Sequence, residues 1–151
     1  MKIYVVLFFL FSNVFVFSQN EKLDRIGLEY SHSIKRNSKI EISIYPSYNT
    51  QNGYILRSEI KKVISEKEIS STEFKKIEKE IMKIKAKDFF RDFRFILDAP
   101  KVTISFSDSS NDVSYSVNAL SKYDKNTSYK NFLKVTQKIL KLADIKIDEI
   151  N

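Results

Sequence analysis

The chain predicts an α+β domain: an antiparallel sheet of about five strands with two helices packed on one face, in the order β-β-β-α-β-β-α. Three observations carry this expectation. Four segments alternate apolar and polar residues with the period of two that a half-buried strand requires, and a fifth fits that reading. Two further segments repeat their apolar residues at helical spacing. Their order suits a sheet whose hydrophobic face is covered by helices from one side.

In the first strand, Ile26, Leu28, Tyr30, His32 and Ile34 alternate with Gly27, Glu29, Ser31 and Ser33. In the second, Ile40, Ile42 and Ile44 alternate with Glu41, Ser43 and Tyr45. Pro46 ends it, because proline cannot donate to a ladder. Asn52-Gly53 is a turn signal. Residues 54–64 are ambiguous: Tyr54, Ile55 and Leu56 suit a strand, while Leu56, Ile60, Val63 and Ile64 also fit helical spacing. One long strand returning beside the second is the preferred reading.

Ser70-Ser71-Thr72-Glu73 has the form of a capping box. The helix it opens carries Phe74, Ile77, Ile81 and Ile84 on one stripe, with Lys76, Lys79, Glu80 and Lys83 assigned to the far, solvent side. Glu78 falls on the apolar arc and reads as a rim charge. Residues 88–98 crowd Phe89, Phe90, Phe93 and Phe95 around Arg91 and Arg94, which suggests an aromatic core plug with arginines at its rim. Val102, Ile104 and Phe106, a polar turn at 108–112, and Val113, Tyr115 and Val117 make the clearest hairpin. A polar loop at 121–127 leads to the last helix, at about 128–143. Phe132, Val135, Ile139, Leu142 and Ala143 form its apolar face.

Residues 1–18 have the parts of a secretory signal peptide: basic Lys2, an apolar run, and a small residue before a polar one. Cleavage is expected between Ser18 and Gln19, which leaves 19–151 as a single compact domain in the periplasm or outside the cell. The apolar run falls short of the about 20 residues a spanning helix needs. No transmembrane helix is therefore expected after cleavage. The chain has no cysteine, so neither attachment through a lipidated cysteine nor a disulfide is expected.

Composition also bounds the chemistry. With only Gly27 and Gly53, neither a P-loop nor a dinucleotide fingerprint can form. One histidine and no cysteine provide too few ligands for the usual zinc sites. No cofactor or metal is expected. The net charge of +7 favours anionic surfaces weakly.

The candidate sites follow from these limits. His32 is the only histidine. Its neighbours Ser31 and Ser33 point to the opposite face of a strand, so neither suits a Ser–His pair, and only Asp98 suggests itself as an orienting acid. A packed histidine is the simpler reading. Glu29, Glu41 and Glu59 are the strand carboxylates, each on a polar face, where cross-strand pairing with basic residues is expected. Asp108, Asn111 and Asp112 read as turn residues rather than calcium ligands. The best candidate is the stripe of Lys130, Lys134, Lys138 and Lys141 on the last helix, which has no acid between its members. It suits an anionic surface or an acidic partner. No aromatic lies on that arc to stack a base, so specific nucleic-acid binding is not expected. Tyr45, Tyr48 and Tyr54 are candidate interface aromatics.

Together these features suggest an exported, non-catalytic small domain. Its partner would be an unknown protein, as for an inhibitor or immunity factor, or an anionic envelope component. The contact surface would be the open sheet face or the lysine stripe. The alternative is a small periplasmic hydrolase using His32 or a carboxylate pair.

Overall fold

The computed structural model describes residues 23–32, 38–50, 53–90 and 98–146. The expected signal peptide and its cleavage point lie outside the described residues, as do Arg91, Phe93, Arg94 and Phe95. The strands are β1 (Arg25–Ser31), β2 (Ile40–Pro46), β3 (Gly53–Ile60), β4 (Val63–Ser70), β5 (Lys101–Ser107) and β6 (Asp112–Asn118). The helices are α1 (Ser71–Ile81) and α2 (Lys130–Leu142). The strands form one six-stranded sheet in the order β4-β3-β2-β1-β5-β6, with every pairing antiparallel. Four strands form a meander. The chain then crosses through α1 to the other side of β1, adds the β5–β6 hairpin and ends in α2.

The α+β class and the two helices are as the sequence predicts, but the sheet has six strands rather than about five. The expected long strand at 54–64 is broken by a two-residue turn, and β4 follows it. Lys61 and Lys62 make that turn with φ of 50° and 70°. Both angles lie in the left-handed region that two-residue hairpin turns demand and that Asn-Gly normally supplies. For a lysine this costs roughly 1 kcal/mol.

The two faces of the sheet differ sharply. Ile26, Leu28 and Tyr30, Ile40, Ile42 and Ile44, Tyr54 and Leu56, and Val102 and Ile104 are all buried against the helices. Their neighbours in sequence face away. From α1, Phe74, Ile77 and Ile81 enter the same core, joined by Phe132, Leu133, Val135, Ile139 and Leu140 of α2. Each large apolar side chain buried there contributes about 1.5–3 kcal/mol. Tyr54 stacks on Phe74 with ring centroids 3.8 Å apart. Phe89, in a 3-10 turn at Ala86–Phe89, stacks on Tyr115 at 4.8 Å and meets Phe132 edge-on. The aromatic link thus sends Phe89 inward, while Phe90 is 81% exposed.

The helix ends are closed by their own sequence. The capping box at α1 is present: Ser70 Oγ accepts from the Glu73 N–H, and Glu73 Oε2 accepts from the Ser70 N–H. The expected loop at 121–127 contains a second box around the 3-10 turn Lys122–Asn126, where the Ser121 N–H donates to Asp124 Oδ2 at 2.8 Å. At the end of α2, Asp144 takes a left-handed φ of 59°. The Ile145 N–H reaches the Leu140 carbonyl and the Asp144 N–H reaches that of Lys141, completing a Schellman closure without glycine.

Candidate functional site

Among the described residues, nothing covers the face of the sheet turned away from the helices, and it holds a hollow of about 710 Å³. Its floor follows from register. Ser105 faces Gly27, Gly27 faces Ser43, and Ser43 faces Arg57. Three small residues in one row leave a trough. A Cβ at Gly27 would come within 2.5 Å of Ser105 Oγ. Around the trough stand larger groups: Arg25 and Tyr45 at one end, Arg57 at the side, and Thr103 with the glutamates beyond.

The glutamates form a row of their own. Glu29 faces Glu41 and Glu41 faces Glu59, so three carboxylates lie side by side across β1, β2 and β3. Like charges placed directly opposite each other destabilise a sheet. Lys39 offsets this: its Nζ bonds Glu41 and lies 3.8 Å from Glu29. The hydrogen bond to Glu41, followed by the charge of Glu29, raises the Lys39 ammonium above its ordinary value. Arg57 lies 3.9 Å from Glu66 of β4. The result is a polar mosaic of arginine, glutamate, serine and one tyrosine. It is suited to many hydrogen bonds and ion pairs with a bound surface.

The lysine stripe has a different setting from the one its own helix suggests. Lys130 and Lys141 are exposed. Lys134 and Lys138, however, reach Glu80 Oε1 of α1 at 3.2 and 3.1 Å, and Lys83 reaches Glu80 Oε2 at 3.0 Å. Glu80 is therefore not on the solvent side of α1, as its neighbours imply. It is 8% exposed and lies between the two helices. Burial alone would raise its carboxyl. Hydrogen bonds from Lys83, Lys138 and Lys134 outweigh that and hold it at about 2. Glu78, read as a rim charge, accepts from the Leu23 N–H at 3.0 Å.

The three tyrosines separate. Tyr48 is fully exposed and Tyr45 is half-buried beside the concavity. Tyr54 is in the core, 4% exposed, because its parity on β3 turns it toward Phe74. It cannot serve as a surface aromatic. His32 follows the end of β1 and is half-buried. Its N–H donates to Ser38 Oγ, which in turn donates to the His32 carbonyl. Asp108 closes its turn by accepting from the N–H groups of Ser110 and Asn111, both at 2.7 Å. These bonds, Ser110 first, lower its carboxyl below the usual range.

The open sheet face is expected from strand alternation, but Arg25, Arg57 and the serine–glycine floor are not. Pairing the strands in register is what brings these residues together, and register was not readable from single strands. No protein-family model matches the chain, and no curated protein matches it.

Proposed function

We propose that this chain is an exported, non-catalytic binding domain that holds a macromolecular partner in the cell envelope against the open face of its sheet. One observation supports this most: the uncovered face is a hollow of about 710 Å³ whose rim sets Arg25 and Arg57 beside Glu29, Glu41 and Glu59. A surface that mixes both charges with hydroxyls and a tyrosine suits a protein partner, where charge complementarity sets specificity and rate. It suits a uniformly anionic polymer less well. Export rests on the leader-like residues 1–18.

A photo-crosslinking residue at Tyr45, in cells at native expression, tests this reading. A single saturable adduct that disappears when Arg25 and Arg57 are both changed to Glu supports it. Adducts obtained from position 130 and not from position 45 would move the contact surface to the helices.

A second reading, a hydrolase using a carboxylate pair, has one observation in its favour: the register sets Glu29, Glu41 and Glu59 adjacent in the same hollow. Glycoside hydrolysis uses two carboxylates flanking one bond. Turnover of envelope glycans that is lost in Glu41→Gln would support it. Binding that persists in Glu41→Gln without any turnover favours the binding domain.

A further inference from the structure

We infer that a second copy of this chain docks along the open edge of β6, pairing the two β6 strands antiparallel about a two-fold axis at Tyr115. This goes beyond the proposed function and does not depend on what binds the open face.

The sheet ends in two edges, β4 and β6. An edge strand is a template for pairing with another chain, and proteins blunt it with charge, proline or bulges. The β4 edge is blunted, since its centre reads Ser65-Glu66-Lys67-Glu68. The β6 edge is not. Val113-Ser114-Tyr115-Ser116-Val117 contains no charge, proline or glycine. It pairs with β5 residue for residue from Asp112 to Asn118, without a bulge. Among the described residues, no strand covers its outer side.

The sequence of this edge is also self-complementary. A two-fold interface requires each patch to fit itself. Val113 to Val117 reads the same in both directions, and Tyr115 is the midpoint of β6. With the axis there, Val113 faces the partner's Val117 and Ser114 faces the partner's Ser116. At the ends, Asp112 faces the partner's Asn118 rather than a second aspartate, so no like charges meet. Centring the pairing on any other residue shortens it.

The side chains present now suit this arrangement. Val113 is 38% exposed, and pairing would cover it. Ser116 Oγ already lies 2.9 Å from Thr103 Oγ1 on β5, and Ser114 would meet the partner's Ser116 through the same hydroxyl contact. Tyr115 is anchored from the helix side by Phe89, which holds the midpoint rigid. The paired sheets would run continuously, and their open faces would join along the rim where Asp112 stands.

Sedimentation of the purified protein tests this across a wide concentration range. The wild type should pass from monomer to dimer as concentration rises. Ser114→Lys with Ser116→Lys puts lysine opposite lysine at both pairs and should weaken the dimer at least about tenfold. Ser114→Lys with Ser116→Glu puts lysine opposite glutamate in the same register and should restore it. Both positions are exposed, so circular dichroism should show both doubles folded. Amide exchange offers a readout without mutation: residues 112–118 should become more protected as concentration rises, and β4 should not. A wild type that stays monomeric overturns the inference. So does a dimer indifferent to the double lysine change, or a lysine–glutamate double as weak as the double lysine.

Discussion

At Glu80 one buried carboxylate meets three ammonium groups drawn from two helices. Removing its charge leaves Lys83, Lys134 and Lys138 to repel one another with no counter-charge between them, even though a glutamine oxygen could still accept from one or two of them. Glu80→Gln should therefore cost about 1–3 kcal/mol, read as a lower denaturation midpoint. The lysines are partly exposed, which places the loss toward the lower end of that range. Acid should act through the same group. Its folded carboxyl is held at about 2, below the unfolded value of 4.5. The unfolded state thus takes up the proton first, and the contribution of Glu80 is complete above pH 4.5. It drains away as pH falls from there toward 2. Melting temperatures of wild type and Glu80→Gln should converge across that window. If they stay parallel, the carboxylate is not the source of the difference. None of this was readable from α1 alone. Glu80 lies among lysines on the helical wheel, and only the approach of α2 turns that side of α1 into an interface. Tyr54 is buried for a related reason: it sits next to a turn signal, but its strand parity turns it into the core.

The β3–β4 hairpin is the element least legible in the sequence and the one with the clearest local strain. Its two strands are joined by Lys61 and Lys62, both with positive φ, where no turn residue announces a turn. β4 is also exposed along nearly its whole length, with only Ile69 buried, so it lacks the alternation that marked the other strands. The sheet forms regardless, because register against β3 runs unbroken from Gly53–Ser70 to Ile60–Val63. Lys61→Asn with Lys62→Gly supplies the turn that this geometry favours. It should stabilise the fold by about 1 kcal/mol, seen as a higher urea midpoint with an unchanged slope. No gain would mean that the lysines sit in that turn without cost. The α1 cap was legible because its two hydrogen bonds are local to Ser70 and Glu73. Ser70→Ala should lose about 1 kcal/mol, again by urea titration.

Across the whole molecule, charge is distributed unevenly between the two layers. Residues 71–90 and 119–146, which carry the helices, contain thirteen lysines and six acidic residues. The chain as a whole carries +7, so these segments account for all of it and the rest is balanced. The open sheet face is accordingly a mosaic, while the helical layer is basic. This gives the two candidate surfaces different physical signatures. Binding through the helical layer would depend on long-range attraction and fall steeply with salt, since charges about 10 Å apart are screened at 0.1 M. Binding through the hollow would depend on matched pairs and respond less. The lysine stripe must be tested where it is free to act. Reversing Lys134 or Lys138 also removes a ligand of Glu80 and would confuse binding with stability. Lys130 and Lys141 are exposed and have no such tie among the described residues. Lys130→Glu with Lys141→Glu should leave stability within about 0.5 kcal/mol per site. If the helical layer meets an anionic surface, the same change should weaken binding to vesicles rich in anionic lipid, most at low salt. Vesicle binding that is absent in the wild type, or unchanged in the double variant, would remove the stripe as a lipid contact and shift weight to the hollow as the proposed contact surface.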